Sequence, residues 1–222
     1  MKNIIITIVF LLILQANGMG QDETELVSDP QARPYLEKLS ERFSMDNAFQ
    51  VEFRYVIHST MEDTRVTDYG SIIIKKDQYK LKTDDAEIYY DGTQLWSYNT
   101  QAGEVYLSEP SEENVDQLLA DPFRLLAAYE EYFKFRLREE TTISEENYQV
   151  IDLYPKNRNL NYSILRLRIN GNGSELHSLL VKQKNGIDIE IFINELITNL
   201  KVPDATFVWD KEAHPDIPVI EL

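Results

Sequence analysis

The sequence predicts an α+β chain dominated by one long, strongly curved antiparallel sheet, with a few short helices set against it. Three observations predict this. From Ala48 onward, apolar and polar residues alternate with period two through a series of short segments, the pattern of strands with one buried face. Turn residues punctuate those segments at Asp91-Gly92, Gln101-Ala102-Gly103, Asn157–Asn159, Gly171-Asn172-Gly173 and Asn185-Gly186. Helical spacing appears in only a few places. So many consecutive antiparallel strands must curl or close.

The elements follow in order. Asp29-Pro30 is a good helix start, and Leu36, Leu39 and Phe43 follow at helical spacing, which predicts an amphipathic helix over 30–44. Pro34 is tolerated in its first turn or moves the start to about Arg33. Phe49, Val51, Phe53, Tyr55 and Ile57 then alternate with Gln50, Glu52, Arg54, Val56 and His58 in a one-sided strand. Strands are expected next at Thr67–Lys75, Gln78–Thr83, Ala86–Tyr90, Gln94–Tyr98 and Glu104–Ser108, with Asp91-Gly92 as a two-residue hairpin turn. Two short helices interrupt, Glu112–Ala120 and Pro122–Glu131, the second opened by Asp121-Pro122. The strands resume at Tyr132–Glu140, Tyr148–Pro155, Tyr162–Asn170, Glu175–Lys184, Ile187–Leu196 and Thr206–Trp209. No linker, low-complexity tract or internal repeat suggests a second domain, so residues 21–222 are expected to form one.

Residues 1–20 have the form of a cleaved signal peptide. Lys2 precedes an apolar run over Ile4–Leu14, and Ala16-Asn17-Gly18 and Gly18-Met19-Gly20 offer small residues for cleavage. The run is short of the roughly 20 residues that span a bilayer. The chain has no cysteine, which excludes disulfides, thiolate metal sites and the N-terminal cysteine that a bacterial lipoprotein acylates. The secreted protein is therefore expected to be soluble and not itself lipid-anchored. With Lys2 removed, the 22 basic side chains become 21 against 38 acidic ones, a net charge of −17 with histidine neutral. Such a balance argues against nucleic acid and against adsorption on anionic lipid.

Two stretches carry a resemblance. Asp91-Gly92-Thr93-Gln94-Leu95-Trp96-Ser97-Tyr98-Asn99 resembles the turn and Leu-Trp-x-Tyr strand of the outer-membrane lipoprotein carriers, the LolA family. Far along the chain, Val202-Pro203-Asp204-Ala205-Thr206-Phe207-Val208-Trp209-Asp210, followed by His214-Pro215-Asp216-Ile217-Pro218-Val219-Ile220, is similar to that family's closing pattern. The resemblance implies an incomplete, half-open β-barrel covered by a lid of short α-helices over an apolar cavity. It implies a periplasmic chaperone that binds the acyl chains of lipoproteins, or another lipid, and carries them from the inner to the outer membrane. The implied partners are an inner-membrane ATP-driven lipoprotein-releasing transporter and an outer-membrane acceptor, with no cofactor and a monomeric state. Related curved sheets also serve in periplasmic regulators that sense lipid or mislocalised lipoprotein, which is the alternative; the expected single domain weighs against it.

Strand alternation together with the resemblance assigns a cavity lined by Phe53, Tyr55, Ile72, Ile74, Tyr79, Leu81, Trp96 and Tyr98, with Phe123, Leu126 and Tyr129 of the second lid helix opposite. The bland account of these aromatics is β-propensity alone. Aligning Gly70–Ile74 with the family's strand places Lys76 where the family carries an arginine that latches the lid. Lysine lacks the planar five-donor fork, so Lys76 is a weaker latch or only a solvated strand end. Enzyme readings find little. His58, His177 and His214 are isolated, no nucleophile motif accompanies them, and no metal site is expected. Gly171-x-Gly173 is followed by a strand, so it is a turn and not a phosphate loop. A periplasmic hydrolase remains the weakest alternative, since no particular carboxylate pair stands out.

Overall fold

The computed structural model describes residues 28–43, 48–109, 126, 128–138, 140–143, 146–171, 173 and 175–222. The leader, Phe123 and most of the two helices expected over 112–131 lie outside the described residues.

The first helix, α1, runs Arg33–Arg42 with Pro34 in its first turn. It starts later than the cap signal at Asp29 suggested. Asp29 Oδ1 accepts the backbone N–H of Gln31 at 2.9 Å, so it closes the turn before the helix and not the helix itself. Leu36, Leu39 and Phe43 bury the face that the helical period predicted.

Six strands then form a meander: β1 (Ala48–Ser59), β2 (Thr64–Lys75), β3 (Gln78–Thr83), β4 (Ala86–Tyr90), β5 (Leu95–Asn99) and β6 (Glu104–Ser108). The chain resumes with a short helix, α2 (Tyr129–Tyr132), and a second series: β7 (Phe133–Leu137), β8 (Thr141–Ile143), β9 (Glu146–Pro155), β10 (Tyr162–Asn170), β11 (Leu176–Gln183) and β12 (Ile187–Leu200). A 3-10 helix (Asp204–Phe207) and a final strand, β13 (Val219–Glu221), close it.

All of these strands belong to one sheet, in the order β13-β6-β5-β4-β3-β2-β1-β12-β11-β10-β9-β7, with β8 alongside β9. Every pairing is antiparallel except β13 on β6, which is parallel. The two meanders meet where β12 pairs β1, and bulges at Ala48/Gln50 and Glu52/Phe53 on that seam bend the longest strands. The sheet does not close, because its terminal strands β13 and β7 are not paired to each other.

Four local expectations need correction. Asp91-Gly92 opens a four-residue connection and not a two-residue turn, because Asp91 Oδ1 accepts the backbone N–H groups of Thr93 and Gln94 at 2.8 and 2.7 Å and holds both out of the ladder. Residues Thr206–Trp209 do not form a strand. Pro203 holds φ at −70°, and the Thr206 N–H returns to the Pro203 carbonyl at 3.0 Å, which winds the segment into the 3-10 turn. The expected strand Tyr132–Glu140 shortens to β7, since Tyr132 ends α2. The strands β8 and β13 are additional; each is three residues long, too short to show a period.

Candidate functional site

Register sorts the aromatic residues between two faces of the sheet. Across β1 and β2, Phe49, Val51 and Phe53 oppose Ile74, Ile72 and Gly70. Across β2 and β3, Ile74 and Ile72 oppose Tyr79 and Leu81. These continue to Tyr90 and Ile88 on β4, then to Leu95 and Ser97 on β5. This is the inner face. The second meander completes it with Ile151 and Leu153 of β9, Leu165, Leu167 and Ile169 of β10, and Leu179 and Val181 of β11. Leu36, Leu39 and Phe43 from α1 pack into the same core, as do Leu126 and Tyr129.

Of the residues assigned from the sequence, Phe53, Ile72, Ile74 and Tyr79 are buried on this face, while Tyr55 and Leu81 lie partly buried at its margin. Leu126 and Tyr129 join them from the α2 side, and Phe123 lies outside the described residues. Trp96 and Tyr98 do not join them. Because Tyr90 pairs with Leu95, the neighbours Tyr89 and Trp96 pair on the outer face, and Tyr98 follows Trp96 by two. There they form a separate cluster with Val105 and Trp209, whose ring centroid lies 5.0 Å from that of Tyr98 and 5.7 Å from that of Tyr89. The segment after β12 covers this patch, with His214 stacked on Trp209 at 4.7 Å. Trp96 and Tyr98 are therefore an anchor for the C-terminal segment on the outer face, and they do not line the inner face as expected.

Lys76 is exposed in the two-residue turn between β2 and β3, with a left-handed φ of 57°. Its neighbour Lys75 makes the reach instead. Lys75 Nζ donates to the Val202 carbonyl and to Asp204 Oδ1, each at 2.7 Å, which ties β2 to the 3-10 helix. The helices that a latch at Lys76 would hold fall largely outside the described residues.

Polar groups at the inner face are few and mostly satisfied. The Tyr55 hydroxyl donates to Asp68 at 3.4 Å; burial first, then Asp68, pushes its pKa up. Tyr129 is pushed up to about 12, chiefly by burial. The buried Asp152 lies on the other face of β9 and accepts from Arg166 Nε at 2.6 Å and Arg138 Nε at 2.8 Å. Burial alone would raise its pKa, but the bonds from the two guanidiniums outweigh it and hold the carboxyl below its ordinary range. The three histidines stay apart, His58 beside Asp63, His177 against Tyr148 and His214 on Trp209. Among the described residues no group of three or more His, Asp or Glu side chains is placed to hold a metal ion.

Sequence reasoning missed the contribution of the second meander. The signal was present in β10, where Leu165, Leu167 and Ile169 alternate with Arg166 and Arg168. No motif marks it, and only strand alternation points to it.

A curved, open sheet with a continuous apolar inner face, against which α1 and the residues around α2 pack, is the architecture of this chain. The chain belongs to the family of the outer membrane lipoprotein carrier protein LolA, whose model matches residues 45–210. Among solved structures it is similar to an uncharacterized conserved protein from Thermus thermophilus, with 10% identity, 86% of this chain and 99% of that chain covered, and a TM-score of 0.53. It is also similar to a LolA superfamily protein from Nitrosomonas europaea, with 15% identity, 81% and 98% covered, and a TM-score of 0.47. The Pseudomonas aeruginosa MucA/MucB complex is matched at 14% identity, 82% and 62% covered, and a TM-score of 0.35. No curated protein matches the chain.

Proposed function

We propose that this protein is a periplasmic carrier that encloses the acyl chains of lipoproteins, or of another lipid, against the inner face of its half-barrel and takes them from the inner to the outer membrane. The observation that carries the reading is the continuous apolar inner face in a member of the lipoprotein-carrier family. Its ligand set is Phe53, Tyr55, Ile72, Ile74, Tyr79 and Leu81 from the first meander, facing Leu126 and Tyr129. The partners are an inner-membrane ATP-driven transporter that releases lipoprotein and an outer-membrane acceptor. No bond chemistry and no cofactor enter.

The energetics of such a carrier follow from transfer free energies. Each methylene left in water costs about 0.8 kcal/mol, so an acyl chain must be enclosed throughout transit. Leu36, Leu39 and Phe43 of α1 are each about 1% exposed against the inner face. Loading therefore exchanges these side-chain contacts for contacts with cargo. That exchange offsets most of the gain, so the carrier holds its cargo less firmly than a bilayer does.

The test is purification from periplasm, followed by lipid extraction and mass spectrometry. A co-purified acylated lipoprotein is the expected result. Acyl lipid without lipoprotein would replace the cargo by another lipid, and neither species at stoichiometric amount would overturn the carrier reading.

A further inference from the structure

We infer that the Tyr162 hydroxyl is the donor that binds the carbonyl of an ester- or amide-linked acyl chain, so that the cavity selects neutral acyl esters and amides over fatty-acid anions. The inference rests on the lipid-carrying reading above and names the chemical class of its ligand.

Tyr162 is about 1% exposed and belongs to the same core as Leu126, Tyr129, Tyr79 and Ile74. Its hydroxyl has no hydrogen-bond partner among the described residues. Other tyrosines on this side of the sheet are matched: Tyr55 to Asp68, Tyr90 to the Gly92 carbonyl at 2.9 Å, and Tyr129 to Glu130. A buried hydroxyl without a partner is costly, and phenylalanine would fill the same volume without that cost. The hydroxyl therefore has a use that the ligand-free fold does not supply. Burial also pushes its pKa up to about 12, so the oxygen keeps its proton and serves as a donor at any physiological pH.

Its position suits the carbonyl end of a cargo. Tyr162 opens β10 directly after the connection 156–161, and that connection is fastened to α2. The Lys156 N–H donates to the Tyr132 carbonyl at 2.9 Å, and Lys156 Nζ donates to the Glu130 carbonyl at 2.6 Å. Tyr162 thus begins its strand at the end of the connection that is tied to α2, in the core it shares with Leu126 and Tyr129.

The choice of ester over carboxylate follows from charge. Among the described residues, the one buried charged side chain is Asp152, an anion on the other face. Among the described residues no buried lysine or arginine stands ready to neutralise a fatty-acid carboxylate, and the whole chain carries −16. An anion there would be desolvated without a counter-ion, whereas an ester carbonyl needs only one donor.

The experiment uses the full-length secreted protein after delipidation. Methyl laurate, tridecane and laurate each displace a polarity-sensitive fluorescent probe from wild type, from Tyr162→Phe and from Tyr89→Phe. In Tyr162→Phe the affinity for methyl laurate should fall roughly three- to tenfold while that for tridecane stays the same. The ligand-free melting midpoint should hold or rise. Tyr89→Phe, on the outer face where the hydroxyl donates to Glu87, should leave methyl laurate unaffected, and laurate should bind wild type more weakly than its methyl ester. Equal methyl laurate affinity in wild type and Tyr162→Phe would overturn the role of the hydroxyl. So would a ligand-free midpoint lowered by several degrees, because that result means the hydroxyl is bonded within the protein. Laurate binding as tightly as its ester would remove the selectivity. Failure of wild type to take up any of the three would instead sink the lipid-carrying reading, and this inference with it.

Discussion

Gly70 stands opposite Phe53 across β1 and β2, and the phenyl ring lies over it. A Cβ at that position would sit 2.6 Å from Phe53 Cζ and 2.9 Å from the Lys82 carbonyl, distances that no side chain tolerates without displacement. Gly70→Ala is therefore expected to lose about 1–3 kcal/mol in urea unfolding. Phe53→Leu in the same chain should recover part of that loss; a fully stable Gly70→Ala single variant would show that the ring moves aside freely. Asp152 makes a different kind of prediction. Its folded pKa lies below the unfolded value of about 3.9, so its stabilising contribution is complete above that value and fades as pH falls through the folded one. The melting midpoint should change little between pH 7 and 5 and drop below about pH 4. Asp152→Asn should cost about 3 kcal/mol at neutral pH, the low end for a broken buried pair because both guanidiniums reach solvent. It should also flatten the acid limb, and an unchanged limb would assign acid lability elsewhere. At Lys76, an exposed turn residue, Lys76→Arg and Lys76→Leu are expected to load an acyl probe as wild type does. A slower Lys76→Arg would restore the latch.

The C-terminal segment is the element that the linear pattern described least well. It leaves β12, is held by Lys75, turns through the 3-10 helix and lays Trp209 on Tyr89, Trp96 and Tyr98. It then returns as β13 along the edge of β6, with the Val105 N–H donating to the Pro218 carbonyl at 3.0 Å and the Leu222 N–H to the Leu107 carbonyl at 2.9 Å. An uncovered β6 would present a row of free backbone groups, a ready template for another chain. Deleting Val219–Leu222 should leave the melting curve cooperative and produce concentration-dependent association in gel filtration. A strictly monomeric truncated protein would show that β13 contributes little to guarding the edge.

Over the whole molecule, the charge of −16 is spread through a chain that keeps its two apolar clusters on opposite faces of one sheet. Such an excess repels itself in the compact state, and salt screens the repulsion. Raising sodium chloride from low ionic strength to about 0.5 M, a Debye length of only a few ångströms, is expected to raise the melting midpoint. A midpoint that falls with salt would mean that ion pairs such as Arg166–Asp152 and Lys75–Asp204 outweigh the net repulsion. The same charge predicts no stable adsorption of the empty protein on anionic vesicles.

Much of this architecture is legible in the sequence because strand period, helix period and turn residues are local properties. The bounds of β3, β4, β6 and β10 follow from alternation between turn signals, and α1 buries the residues its period selects. Alternation also groups Ile72 with Ile74 and Tyr79 with Leu81 on one face of their strands, and these pairs do lie together in the structure. Alternation divides each strand into two faces, but it cannot say which face of one strand continues which face of the next. That depends on pairing register, and a shift of one residue exchanges the faces completely. Between β4 and β5 the four-residue connection set by Asp91 pairs Tyr90 with Leu95, which sends Trp96 and Tyr98 outward although the motif containing them is the strongest family signature in the chain. The turn that receives Lys76 and the return of β13 to β6 are likewise products of distant backbone finding a partner. The sequence by itself determined the strands, the first helix and the apolar stock of the core. Tertiary structure alone determined which aromatics share the inner face, because a face is a relation between strands that are remote in sequence.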